Sequence, residues 1–121
     1  MHYKENDSTG WIEIPAHHEG DGVFRTWHPF KDVTRLPIKM QLWELDPGAS
    51  EGSHVHEGER ELEEMYYFLE GSGTMWSDGD EFPVGAGDAV MAPPGSDHGF
   101  RNTGDAPLKL IIIWGRPEAG T

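Results

Sequence analysis

The stretch from Gly87 to Asn102, GDAVMAPPGSDHGFRN, contains the pattern that decides the fold. An apolar run, Ala89 to Ala92, ends at two prolines and a glycine, and a second short run begins at His98 and reaches Asn102. Runs of four or five residues separated by turns rich in Pro and Gly are typical of strands in antiparallel sheets. The stretch therefore predicts two short strands joined by a tight turn.

The same alternation of short apolar runs and turns continues on both sides of this stretch. It predicts further strands, with expected bounds Ile38 to Leu45, Glu64 to Leu69, Thr74 to Trp76, Glu81 to Val84 and Leu108 to Trp114. Two segments nearer the N-terminus, Trp11 to Ile14 and Val23 to Trp27, are candidate edge strands. Many short strands at close spacing indicate an all-β chain, folded as an antiparallel barrel or sandwich.

Length and composition limit the number of domains and the kinds of site that the chain can form. A chain of 121 residues suits one domain. We expect an irregular N-terminal arm over residues 1–36, a barrel over 37–116 and a C-terminal tail over 117–121. The absence of cysteine excludes disulfides, thiolate catalysis and cysteine-based metal sites. Because the sequence shows neither a signal peptide nor a membrane-spanning run, we expect a cytoplasmic protein.

The net charge limits the choice of partners. Acidic residues outnumber basic ones, 22 to 9, which gives a formal net charge of −13. A surface of that charge repels phosphate backbones and anionic lipid headgroups, so nucleic acid and membranes are poor candidates. It does not exclude an anionic substrate, because a bound metal ion can reverse the local field. We therefore expect a small molecule as the substrate or ligand.

A pair of histidines, His54 and His56, has a single residue between its members. On an extended chain both imidazoles project to the same side. Two imidazoles, a carboxylate from a neighbouring strand and a third imidazole make a site for a divalent ion. The sequence offers Glu64 and His98 for the last two roles. The remaining histidines, which have no partner at ligand spacing and are expected at the surface or an interface, are His2, His17, His18 and His28.

With these residues the chain resembles the cupin superfamily. The second motif of that family is Gly, five residues, Pro-x-Gly, two residues, His, three residues, Asn. The chain matches it at every fixed position, which are Gly87, Pro93, Gly95, His98 and Asn102.

The first motif of the family, Gly, five residues, His-x-His, three or four residues, Glu, six residues, Gly, is matched with one departure. The matching positions are Gly48, His54, His56, Glu64 and Gly71. Seven residues, rather than three or four, separate His56 from Glu64, and Glu61 would satisfy the usual spacing but then stands too far from Gly71. We favour Glu64, because a strand sets the distance to Gly71 whereas a loop sets the distance to His56.

The resemblance implies a jelly-roll barrel, or double-stranded β-helix, over about residues 37–116. It also implies one divalent metal ion, bound by His54, His56, Glu64 and His98. Three imidazoles and one carboxylate fill a tetrahedral zinc ion completely, whereas a six-coordinate ion keeps two positions open. We therefore favour Fe(II), Mn(II) or Ni(II), with Zn or Cu as alternatives.

The resemblance implies dioxygenase, decarboxylase, isomerase or lyase chemistry, and the fold does not choose among them. We favour a dioxygenase-like oxidoreductase that acts on a small oxygen-rich metabolite. The open alternatives are a non-oxidative enzyme, a non-catalytic domain that binds a sugar or another small metabolite, and a barrel whose metal ion is structural. Proton transfer needs a further residue, for which the candidates are Tyr66, Arg101 and either Gln41 or Glu44, which lie on opposite faces of one strand.

The last predicted strand is apolar on both faces. Leu108, Leu110, Ile112 and Trp114 share one face, and Ile111 and Ile113 share the other. One face can fill the barrel, but the other needs a second sheet, the N-terminal arm or a partner subunit to cover it. We predict a homodimer.

Overall fold

The described part of the chain consists of β-strands and turns. The structure, a computed structural model, describes residues 1–15, 20–54 and 61–118, and for Ser53 and His54 it describes the backbone alone. Within these ranges there is no helix, and so none that is long and apolar enough to cross a membrane. The strands are β1 (Ile12–Pro15), β2 (Val23–Trp27), β3 (Lys39–Leu45), β4 (Ser50–His54), β5 (Glu63–Glu70), β6 (Ser72–Ser77), β7 (Asp80–Gly85), β8 (Ala89–Ala92), β9 (His98–Arg101) and β10 (Leu108–Gly115).

The strands form two sheets whose inner faces enclose the core. One sheet has six strands in the order β1-β2-β3-β10-β5-β8, and the other has four in the order β4-β9-β6-β7. Every pair of neighbouring strands is antiparallel. The prediction of an all-β, antiparallel jelly-roll barrel is confirmed.

Burial alternates along the strands as a barrel requires. On β10, Leu108, Leu110 and Ile112 are fully buried, whereas Ile111 and Ile113, which alternate with them, are half-buried on the outer face. The inner side chains meet an aromatic cluster centred on Phe100. The other members of this cluster are Phe24, Trp43, Tyr66 and Phe68.

The strands that the apolar runs predict between residues 38 and 114 are all present, with ends that differ by at most two residues. The strand β4 is the exception, because the sequence pattern does not predict it. Its residues, SEGSH, are polar and lack apolar alternation. The segment is extended because its backbone pairs with β9, a contact that joins residues about 50 positions apart.

The N-terminal segment contributes to the barrel itself. The strand β1 lies at the edge of the six-stranded sheet, as expected, but β2 does not, because it pairs with β1 on one side and β3 on the other. Phe24 of β2 is fully buried, and its ring lies 5.0 Å from that of Trp43. Residues before position 37 therefore complete the core.

Candidate metal centre

Glu64 and His98 meet inside the barrel, although they belong to different sheets. On β5 the side chains alternate, so that Glu64, Tyr66 and Phe68 are buried while Met65 and Tyr67 are exposed. His98, the first residue of β9, is also buried. Its Nε2 atom lies 3.1 Å from Oε1 of Glu64. The two side chains thus place an imidazole nitrogen within hydrogen-bond distance of a carboxylate oxygen.

The turn before β9 orients the His98 ring. Nδ1 of His98 donates a hydrogen bond to the backbone carbonyl of Ser96 at 3.0 Å, and the Ser96 hydroxyl donates to the carbonyl of Pro93 at 2.8 Å. With Nδ1 held by the backbone, Nε2 is directed at Glu64. A metal-binding histidine needs its second ring nitrogen anchored in this way, so that the ring orientation is fixed.

The pKa of His98 reflects its contact with Glu64. Burial lowers this pKa, but the hydrogen bond and the negative charge of Glu64 outweigh burial, so the pKa lies above its ordinary value. His98 and Glu64 would hold a divalent ion in place of the proton that they share, since imidazole must give up its proton to bind a metal. Such an ion fits the site, because an imidazole nitrogen and a carboxylate oxygen lie close together and the His98 ring is anchored.

Tyr66 holds the other oxygen of the carboxylate. Its hydroxyl donates a hydrogen bond to Oε2 of Glu64 at 2.9 Å, and its side chain is buried. Burial, followed by the negative charges of Glu64 and Glu51, raises the pKa of Tyr66 well above its ordinary value. Tyr66 therefore keeps its proton and fixes the orientation of Glu64.

Glu51 is a buried carboxyl group in the barrel that sequence reasoning missed. It pairs with Phe100 across β4 and β9, and since cross-strand neighbours share a face, its side chain is directed inward with that of Phe100. Its exposed fraction is 3%. Burial, and then the charge of Glu64, raises the pKa of Glu51 to about 9. No spacing in the sequence indicated this position, because residues three apart on a regular strand lie on opposite faces and the register shift between Glu51 and His54 is visible only in the structure.

For two of the four predicted ligands, His54 and His56, the structure does not describe the side chain. The backbone of His54 pairs directly opposite His98, and the register shifts between Glu51 and His54. The side chain of His54 and the whole of His56 lie outside the described residues. Without them, the described side chains contain no group of three histidines or carboxylates that could hold an ion.

The two candidate carboxylates differ in their surroundings. Glu64 is buried against His98 and Tyr66, whereas Glu61 is exposed in the segment that precedes β5. Two further acidic residues of the expected loop, Glu57 and Glu59, lie outside the described residues.

The structure separates the remaining candidates for proton transfer. Gln41 pairs with the buried Ile112 on the inner face of the barrel, and its Oε1 accepts a hydrogen bond of 2.7 Å from Nε1 of Trp43. Glu44 is directed outward, where its carboxylate accepts a hydrogen bond of 2.9 Å from Arg25. Of the two, only Gln41 lies on the face that lines the interior.

Arg101 does not join Glu64 and His98. It lies three residues after His98 on β9 and therefore on the opposite face of that strand. Its guanidinium donates hydrogen bonds to the carbonyl of Gly48 at 2.8 Å and to the carboxylate of Asp21 at 2.7 Å. These bonds hold a half-exposed side chain on the outside of the barrel, so its role is to tie surface segments together.

Comparison with known sequences identifies a family and a relative. The family model of the cupin domain matches residues 41–114. The chain is 39% identical over 79 residues to an oxalate-binding protein of Thermotoga maritima. This match covers 65% of the chain and 60% of the relative, so the chain spans less than two thirds of that protein's length.

Solved structures show the same architecture. A predicted oxalate decarboxylase of Thermotoga maritima superposes with a TM-score of 0.83 at 27% identity, over 93% of this chain and 97% of that protein. A cupin 2 conserved barrel domain protein of Salinispora arenicola superposes with a TM-score of 0.70 at 24% identity, over 95% and 88% of the two chains. Since the family model also covers more than half of the sequence, the chain belongs to the cupin family.

Proposed function

We propose that this chain binds one divalent metal ion on His54, His56, Glu64 and His98. The observation that carries the proposal is the convergence of Glu64 and His98, two buried metal-binding groups from different sheets, at 3.1 Å. The backbone register supports His54, because it stands directly opposite His98. The His-x-His spacing supports His56. With three imidazoles and one carboxylate, Fe(II), Mn(II) or Ni(II) suits a working site better than zinc.

We propose further that the bound ion acts on a small oxygen-rich molecule. When bound, such an ion supplies Lewis-acid polarisation of a ligand oxygen and orients the ligand. The residues of the chain prepare the site for it. Tyr66 holds Glu64 in place through Oε2, Ser96 anchors the His98 ring, and the rings of Trp43 and Phe100 line the interior and exclude water.

We favour a dioxygenase-like oxidoreductase as the reaction class. The donor set leaves two positions on a six-coordinate ion, which suits a ligand together with O₂ or a ligand with two oxygens. A second candidate is a non-oxidative decarboxylase, isomerase or lyase, or a binding domain. The match to a relative named for oxalate binding favours this second candidate.

Oxygen uptake separates the two candidates. The Fe(II)-loaded protein would be screened against catechols, β-diketones and 2-hydroxy acids with an oxygen electrode. Oxygen consumption that depends on one of these compounds supports the dioxygenase. Conversion or binding of a compound without oxygen uptake supports the non-oxidative candidate.

Metal content tests the ligand assignment directly. We expect the His56→Ala variant to lose stoichiometric metal, because it lacks one of the four ligands. The His28→Ala variant should keep it, since His28 stands apart from the motif. Mass spectrometry of the purified proteins measures the content. Stoichiometric metal in the His56→Ala variant would show that the ligand assignment is wrong.

Replacing Glu61 and Glu64 separately by Gln decides which of the two carboxylates is the ligand.

We also propose that two copies of the chain pair through the outer face of β5, β8 and β10. Three large apolar side chains on this face, Met65, Tyr67 and Met91, have exposed fractions of 48%, 44% and 53%. Together with Ile111 and Ile113 they line a groove of about 330 Å³. Two copies that each carry a net charge of −13 repel one another, so a contact between them needs an apolar face such as this one.

A further inference from the structure

The outer face of the six-stranded sheet carries two consecutive rows of apolar side chains. Cross-strand partners share a face of a sheet, so the strand register defines each row. Both rows run across β3, β10, β5 and β8. One consists of Met40, Ile113, Met65 and Met91, and the other of Leu42, Ile111, Tyr67 and Ala89. Neither row contains a charged side chain, and together these eight residues form an apolar band.

Charged side chains begin directly beyond the apolar band. At one end of it, Glu44 and Lys109 pair across β3 and β10, and Nζ of Lys109 lies 3.8 Å from the Asp7 carboxylate. At the other end, Glu63 pairs with Gly115 across β5 and β10. An uncharged centre with a polar rim is the usual composition of a protein–protein interface. Because each copy has a net charge of −13, a second copy can approach closely only where neither surface is charged.

The two sides of the apolar band differ in shape, and β10 lies between them. On the side of β5 and β8 lies the groove of about 330 Å³, whose lining includes Met65 and Met91. On the side of β3 the band adjoins the segment 28–38, because Leu36 of this segment and Ile113 of β10 line a common cavity of about 160 Å³. Leu36 has an exposed fraction of 66%, the highest of the large apolar side chains that line either cavity. One face thus carries both a groove and a side chain that can fill it.

We propose that two copies of the chain pair about a two-fold axis along β10, so that Leu36 of each copy enters the groove of the other beside Met91. The inference rests on the proposed dimer and adds how the two faces meet. Rotation about an axis along β10, in the plane of the interface, places the β3 side of one copy against the β5 and β8 side of the other. Both grooves are then filled at once, as a symmetric interface requires. An axis across the strands would instead place groove against groove and leave both unfilled.

Mixing two charged variants tests this arrangement. Leu36→Lys places a charge on the segment 28–38, and Met91→Glu places one in the groove. Each variant alone puts a charge into both apolar contacts of its own dimer, so we expect a mass of 13.5 kDa by light scattering for each. In an equimolar mixture, a mixed dimer joins the introduced lysine to the introduced glutamate in one contact and keeps the native contact in the other. We therefore expect the mass of the mixture to double.

Leu36→Glu is the matched control for Leu36→Lys. Its mixture with Met91→Glu brings two acidic groups together in one contact, so we expect this mixture to stay at 13.5 kDa. Leu36 and Met91 are both exposed, so neither replacement disturbs the core, and thermal unfolding is measured first for every variant. Met65→Glu, at the neighbouring position of the groove, replaces Met91→Glu if that variant folds poorly.

With a dimeric wild type, a mixture of Leu36→Lys and Met91→Glu that stays monomeric would overturn the arrangement along β10. A dimeric Leu36→Lys variant on its own would overturn it as well, because Leu36 would then lie outside the contact. In both cases the proposed dimer itself would stand. A monomeric wild type at micromolar concentration would instead contradict the proposed dimer, and the arrangement with it.

Discussion

At the scale of single residues, Tyr66 controls the orientation of the proposed carboxylate ligand. In Tyr66→Phe the hydrogen bond of 2.9 Å to Oε2 of Glu64 is lost, while the ring contact with Phe100 is preserved. We expect metal affinity to fall about ten- to a hundredfold, because outer hydrogen-bond partners of ligands typically contribute that much. Competition with a chromophoric chelator measures the affinity. Tyr67→Phe, on the exposed face of β5, is the control, and an unchanged affinity in Tyr66→Phe would contradict the positioning role.

Glu51 makes the stability of the metal-free protein depend on pH. Burial, and then the charge of Glu64, raises its pKa from the ordinary 4.5 to about 9. Between these values the folded protein binds a proton that the unfolded chain has lost, so the free energy of unfolding decreases as the pH rises through this range. The neutral Gln in Glu51→Gln does not titrate.

We therefore expect metal-free Glu51→Gln to be more stable than the wild type at about pH 8, by at least ~1 kcal/mol. The advantage should shrink towards about pH 4, where Glu51 is protonated in both states of the wild type. Urea denaturation at the two pH values measures the difference. The same difference at both values would show that Glu51 does not titrate in this way.

At the scale of elements, β9 is confined between β4 and β6, and Gly99 makes this close approach possible. A Cβ atom at Gly99 would lie 2.5 Å from Cζ2 of Trp76 on β6 and 2.6 Å from the carbonyl oxygen of Glu51 on β4. We expect Gly99→Ala to lower the free energy of unfolding by about 2–3 kcal/mol, because the Glu51 carbonyl belongs to the backbone of β4 and cannot move without disturbing that sheet, and the Trp76 ring would also have to shift.

Gly85→Ala is the matched control for Gly99→Ala. Its Cβ atom would come no closer than 3.4 Å to another atom, and its φ lies outside the left-handed region, as does that of Gly99. We expect a loss below about 1 kcal/mol. Urea denaturation of both variants measures the difference, and equal losses would mean that β9 can shift to accept a side chain.

At the scale of the whole molecule, the outer face of β5, β8 and β10 is the surface through which we propose that two copies pair. A charge placed in that groove should prevent association, so we expect Met91→Glu to halve the mass measured by light scattering, from twice 13.5 kDa to 13.5 kDa. Val33→Glu, at an exposed apolar residue outside the groove, should leave the mass unchanged. A monomeric wild type at micromolar concentration would remove the proposed dimer.

Local patterns of the sequence predicted most of the fold and part of the site. Apolar runs between Pro- and Gly-rich turns marked nearly every strand, because turn chemistry and strand alternation act over a few residues. The spacing of the motifs singled out Glu64 and His98, which the structure brings together. For His54 and His56 the sequence supplies a ligand prediction that the described residues do not test.

The sequence by itself determined the all-β class and most of the strands, and it singled out candidate ligands for a metal ion. Only the tertiary structure decided that the polar segment β4 is a strand, that Glu51 is directed inward and that Arg101 is held outside by Asp21. The physical reason is that alternation assigns residues to two faces of a strand but does not say which face meets the core. Contacts between residues far apart in the chain make that choice, and they also set which polar side chains are buried.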